Sequence, residues 1–257
     1  MDYFLTVLAG FLAGTLGGLL GIGGGVVLMP YLRFYVGLSP AFAAGTCIIA
    51  VFFTTLGGSY RHYKLRHIDL RSLLPIIIAG SLSTIICSVL FLQLSQRQSW
   101  IDLGVGLVFL FIALRMISEA APKLRLNQPP DGGETVIRGS IWKKGGIGIV
   151  AGIFPGLLGI GTGAILVPAF RFLFRAPIKV AMGSSLVCFA CNALWSSIFK
   201  INQGFVDFEI AVPICIGALL GANVGAILNR RFPSATLKLF FGLLFLYVSF
   251  KFIKNFF

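Results

Sequence analysis

The sequence predicts an all-α, polytopic membrane protein built from two homologous repeats, and three observations predict it. Hydrophobic residues make up 57% of the 257-residue chain and charged residues only 11%, with a mean hydropathy of +0.95. A soluble domain carries about 25% charged residues, so most of this surface faces something other than water. Apolar stretches of 18 or more residues recur between short charged segments. Finally, Gly18-Leu-Leu-Gly-Ile-Gly-Gly-Gly25 returns as Gly156-Leu-Leu-Gly-Ile-Gly-Thr-Gly163, and the two runs continue to Pro30 and Pro168. At the same offset of 138 residues Arg33-Phe34 meets Arg171-Phe172, and Gly45, Asp69, Pro75 and Gly104 meet Gly183, Asp207, Pro213 and Gly242. A chance glycine run would not bring an aspartate and two prolines along in register, so the unit is duplicated.

Residues 4–36 form one apolar run interrupted at Gly21–Gly25. As a single helix it would be about 50 Å long, too long for a hydrocarbon core of about 30 Å. Glycine is poor inside a helix, so Gly21, Gly23, Gly24 and Gly25 predict a break. Two legs of about 15 residues each fall short of a full span, which favours a re-entrant hairpin over a kinked helix. Helices follow over 41–60, 72–94 and 98–118, separated by the basic loop Arg61–Arg71 and a turn at Gln96-Arg97. Residues 119–141, with Pro129-Pro130-Asp-Gly-Gly133 inside them, read as a linker between a first repeat (1–118) and a second (142–257). The second repeat follows the same plan, with a broken run at 145–175 and helices over about 179–200, 209–229 and 236–254.

Loop charge predicts that the two repeats are inverted. The loop at 61–71 holds four Lys or Arg and its counterpart at 199–209 only Lys200. The turn at 33–41 holds Arg33 alone, against Arg171, Arg175 and Lys179 at 171–179. Opposite basic bias at corresponding loops means opposite insertion, which requires an odd number of crossings per unit: a hairpin plus three transmembrane helices. The linker is then cytoplasmic and both termini lie outside. The net charge of +13 reflects this loop asymmetry and makes nucleic acid an unexpected partner. Met1-Asp-Tyr-Phe has neither the basic region nor the cleavage site of a removable signal. Five cysteines, 47, 87, 188, 191 and 215, all lie in apolar segments and read as small buried hydrophobes rather than disulfides or a redox pair.

The glycine breaks are the candidate site. A helix interrupted inside a membrane frees backbone N–H groups, and successive amides without side chains form an anion-binding concavity. The candidate substrate-binding residues are Gly21, Gly23, Gly24 and Gly25 with Gly159, Gly161, Thr162 and Gly163. Thr46 and Cys47, at the start of the next helix, have Ser184 and Ser185 as counterparts, and Asn192 lies within a span. Isolated pairs such as Gly14 and Gly18 are expected to serve helix packing. Arg33 and Arg171 are expected to reach the interface, and Asp69 and Asp207 to cap helices. No carboxylate lies near the middle of a predicted span, and His62 and His67 both fall in the basic loop. With no metal-ligand cluster, P-loop or acyl-transfer triad, neither catalysis nor a cofactor or metal is expected.

Two halves, each carrying GLLGIGxG, then a proline, then Ala-Gly-Thr or Met-Gly-Ser-Ser, resemble the sulfite exporter TauE/SafE family of membrane permeases over essentially the whole chain. The resemblance implies movement of a small sulfur-containing anion such as sulfite or an organosulfonate. Two departures, Thr162 for Gly24 and Pro155 for Gly17, make the half-sites unequal. The resulting expectation is a secondary transporter in the cell membrane, with its anionic substrate held between the two breaks and access alternating as one repeat moves against the other. An anion channel, or a non-transporting assembly or sensor subunit, are the alternatives. The partners are the lipid bilayer and a small anion, with homo-oligomerisation left open.

Overall fold

The computed structural model describes residues 3–64, 68, 70–120, 137, 139–228 and 234–256, and all regular structure among them is helical. Helix α1 (Tyr3–Leu20) leads into a non-helical stretch and a six-residue helix, α2 (Gly25–Pro30). Three long helices follow: α3 (Pro40–Lys64), α4 (Leu70–Ser95) and α5 (Gln98–Ala120). The second half runs α6 (Ile141–Leu158), α7 (Gly163–Pro168), α8 (Ile178–Asn202), α9 (Phe208–Leu228) and α10 (Ser234–Lys254). Six of these, α3 to α6, α8 and α9, are long and apolar enough to cross a membrane. His67, Asp69 and most of the 119–141 linker lie outside the described residues.

The first broken run is a hairpin with unequal legs. Gly24 lies back against the Ala13 carbonyl, and the Tyr31 hydroxyl is 3.4 Å from Thr6 Oγ1, so the chain doubles back along α1. The first leg is 18 residues long, and the returning one is six α-helical residues continued by a five-residue π-helix, instead of two legs of similar length. The shortening has a local cause. Pro30 and Pro168 carry no N–H, and each short helix gives way beyond its proline to a wide turn, Tyr31–Tyr35 and Ala169–Leu173. In the first, Val36 N–H donates to the Tyr31 carbonyl at 3.0 Å.

Several helix ends shift by a few residues from the sequence expectation, and two of the shifts matter. Helix α3 runs on through Arg61 and His62 to Lys64, since nothing in that stretch is a helix breaker. Helix α8 runs past Lys200 to Asn202, and Lys200 is completely buried rather than part of a charged loop.

Glycine stripes decide how the helices pair. Helices α1 and α9 run parallel: Gly10, Gly14 and Gly18 face the backbone at Ile214, Ala218 and Ala222, while Gly217, Gly221 and Gly225 face Val7, Phe11 and Thr15. Helices α6 and α4 repeat the arrangement, with Gly148 on Ile76 and Gly152 on Gly80. Lipid tails are as apolar as leucine, so close backbone approach and its dispersion contacts supply the attraction that burial supplies in water. The opposite faces are turned outward: Leu74, Ile78, Leu82 and Ile86 on α4 and Val212, Ile216 and Leu220 on α9 are exposed. At the centre α3 packs against α8 in the antiparallel sense, Gly58 on Leu186 and Gly183 on His62. At one flank α5 and α10 also run antiparallel, Gly106 against Ile253 and Gly242 against Ile117. Exchanging residues 138 apart maps this set of neighbours onto itself.

Candidate functional site

The two breaks meet. A Cβ placed on Gly25 would lie 3.1 Å from the Gly161 nitrogen; Gly161 faces the Ile22 carbonyl and Gly163 the Gly21 carbonyl. Gly21, Gly23 and Gly24 hold φ of 70°, 86° and 75°, the left-handed region in which a side chain is strained. In the second break Gly159 alone does so, at 66°. Thr162, the counterpart of Gly24, sits at φ −99°, because a β-branched residue avoids the left-handed well. One substitution thus gives the second break a different backbone path.

Hydrogen bonding is thin here. Ile22 and Gly23 N–H both donate to the Gly17 carbonyl, at 3.1 and 3.4 Å, as the last turn of α1 unwinds. Among the described residues, the amides of Gly24, Ile160, Gly161 and Thr162 donate no hydrogen bond. All of these residues except Ile22 are buried. Buried backbone donors without partners are rare in folded proteins, and each needs a reason.

The structure distributes the predicted side chains unequally. Cys47 joins the breaks, its Sγ donating to the Gly25 carbonyl at 3.7 Å. Ser185, the counterpart of Cys47, shares a helical face with Met182, which touches Gly21, and with Phe189, which touches Gly23 and Gly161. Thr162, Ser184 and Ser185 are fully buried, and their hydroxyls have no partner among the described residues. The Asn192 amide lies against Gly80 of α4, and its Oδ1 is likewise unpartnered. Thr46 sits apart from the breaks. Its hydroxyl accepts the Asp207 N–H at 3.1 Å, tying α3 to the start of α9. Asp207 Oδ1 in turn accepts the Ile210 N–H at 3.2 Å, the expected helix cap.

Neither arginine stands free at an interface. Arg33 forms a fork on Asp102 of α5, with Nη2 at 2.8 Å from Oδ2 and Nε at 3.1 Å from Oδ1, and Nη1 donates to the Leu38 carbonyl. Arg171 is buried. The five cysteines are all free thiols. Among the described residues no cluster of His, Cys, Asp and Glu could hold a metal ion.

Two important neighbours of the breaks carried no signal of their own. Phe189, fully buried, presses its ring edge on both breaks, and Val51, its counterpart, closes over Gly25. An apolar residue in an apolar run is silent; only the 138-residue offset from one to the other could have marked them.

A model of the sulfite exporter TauE/SafE family matches residues 6–252. The chain belongs to that family. The chain is similar to the "Probable membrane transporter protein YunE" of Bacillus subtilis, 27% identical over 251 residues that cover 92% of each chain. A "Probable membrane transporter protein" of Xylella fastidiosa is 29% identical over 248 residues, covering 95% of this chain and 92% of the relative. A third relative, MJ0441 of Methanocaldococcus jannaschii, is 24% identical over 249 residues. No solved structure matches. This TauE/SafE member is a multi-pass cell-membrane protein of a transporter family, and the paired breaks lie in its buried centre.

Proposed function

We propose that this TauE/SafE member is a secondary transporter, and no enzyme, that carries a small sulfur-containing oxyanion such as sulfite or an organosulfonate past the contact between its two glycine breaks. The observation that carries the reading is the meeting of two glycine segments in which several buried amides donate no hydrogen bond. An oxyanion supplies acceptors in several directions at once, and amides in left-handed turns aim donors at a common point. The unpartnered hydroxyls of Thr162 and Ser185 supply further donors; from Asn192 only Nδ2 can donate, since its unpartnered Oδ1 is an acceptor.

Equivalent helices that pack antiparallel fit two inverted units, each a hairpin plus three spans, with the linker cytoplasmic. The stripe contacts tie α1 to α9 and α6 to α4 across the two units, so the bodies that alternate access are mixed from both repeats. The driving force is the anion's own electrochemical gradient.

The test is sulfite flux into proteoliposomes, comparing wild type with Thr162→Val, Ser185→Ala and Asn192→Leu. Leucine at Gly23 or Gly161 is a poor probe, because it would collide with Phe189 or the Ile22 carbonyl and disturb packing as well. Wild type should show saturable uptake, and each variant should lose about tenfold or more, the worth of one hydrogen bond to a charged ligand. Unchanged flux in all three variants would return these groups to packing. A wild type inert toward every sulfur oxyanion would remove the substrate class.

A further inference from the structure

Lys200 is the most deeply buried cation among the described residues, with no exposure at all, yet no carboxylate pairs with it. Its Nζ donates to the Gly156 carbonyl at 2.8 Å and stands 3.6 Å from the centre of the Phe91 ring. Gly156 opens the second glycine motif and lies in the last turn of α6. Ser196, one turn before Lys200, donates to the neighbouring Pro155 carbonyl at 2.7 Å. The negative end of a helix and the face of an aromatic ring both favour a cation, but neither neutralises it. An ammonium also has three N–H donors, and the Gly156 carbonyl takes one.

The surroundings hold polar groups that the fold leaves idle. Ser88, one turn from Phe91 on α4, is fully buried, and its hydroxyl has no partner. Gln203, one turn beyond Lys200, donates Nε2 to the Ser88 carbonyl at 2.8 Å, while its Oε1 is unpartnered. The offset of 138 gives Lys200 the counterpart His62, so the first repeat carries no fixed charge at this place. A buried charge without a counter-ion is costly to keep, and that cost falls when a mobile anion supplies the missing charge.

We propose that Lys200 is the counter-charge for the transported anion: on its way past the second break, an oxygen of the substrate takes a free N–H of the Lys200 ammonium, with the Ser88 hydroxyl beside it. The inference rests on the transporter reading above and adds the residue that makes the path select for negative charge. It assigns the charge to one repeat, so the two half-sites differ in kind: amides alone in the first, amides plus an ammonium in the second.

The experiment measures sulfite uptake and thermal stability in Lys200→Arg and Lys200→Gln. Glutamine keeps a donor for the Gly156 carbonyl and removes the charge; arginine keeps the charge. The expected result is a KM for sulfite raised roughly tenfold or more in Lys200→Gln and held within a few-fold in Lys200→Arg. If Lys200 only caps α6, the two variants change melting temperature and leave KM alone, which overturns the inference while the transporter reading stands. The wild-type chain gives a second measurement that needs no variant. Methanesulfonate should compete with sulfite uptake and dimethyl sulfone, of similar shape but neutral, should not; equal competition overturns the counter-charge. A wild type with no sulfite flux would fail the transporter reading itself, and the inference with it.

Discussion

At Gly23 the backbone holds φ at 86° with the Phe189 ring edge against the place where a side chain would begin, so conformation and space exclude everything but glycine. That requirement was legible, because glycines gathered in an apolar run have few other uses. Thr162 was legible too, as one of two departures from the repeated pattern, and its φ of −99° shows what the departure does. Lys200 was not: a lysine near a predicted helix end reads as a loop charge until the helix proves to run on and bury it. Arg33 was half legible. Its basic character was plain, but its partner Asp102 lies 69 positions on, and the counterpart of Asp102 in the second repeat is Phe240, so the duplication gave no hint. Asp102 is 2% exposed and the Arg33 side chain 22%. Arg33→Met should therefore strand a buried carboxylate and cost about 3 kcal/mol, with Asp102→Leu in the same chain recovering most of the loss. Unfolding in a denaturing detergent series, run as a double-mutant cycle, checks this; additive losses would show that the pair contributes nothing as a pair.

At the scale of the element, most boundaries follow from period, length and punctuation, and the errors have physical reasons. The returning legs are short because beyond Pro30 and Pro168 each α-helix loosens into a five-residue π-helix and ends. Helix α3 continues past residue 60 because the charged stretch Arg61 to Lys64 contains no breaker. The glycines along the facing sides of α1, α4, α6 and α9 pack helices, as expected for Gly14 and Gly18. A Cβ on Gly14 would sit 2.8 Å from the Ala218 Cα, and one on Gly152 would sit 2.7 Å from the Ser83 Cβ, so α1/α9 and α4/α6 would each have to move apart. Gly14→Ala and Gly152→Ala should each destabilise by roughly 1–3 kcal/mol despite alanine's better helix propensity. Gly145→Ala, where nothing lies within 4 Å, should stabilise slightly. Melting curves of the three variants in one detergent decide it, and a stabilised Gly14→Ala would show that the close approach is not what binds these helices.

For the whole molecule, each half's first helix finds its main partner in the other half: α1 on α9, and α6 on α4. A chain cut within the linker should therefore give two fragments, 1–118 and 142–257, that fail singly and succeed together. Co-expression with a tag on one fragment should copurify the other and restore flux in proteoliposomes. A fragment that is monodisperse alone would contradict the pairing.

The same pairing bears on how such a chain could have arisen. On the inverted arrangement proposed above, a single unit made before any duplication would cover its glycine stripe by finding a second copy of itself inserted the other way up. The smallest object able to fold would have been an antiparallel pair, and every membrane would have had to receive both orientations in equal number. Joining the two copies through a linker removes that condition. One polypeptide then fixes the ratio, and each copy is free to specialise, as the lysine of one half and the threonine in its break already record.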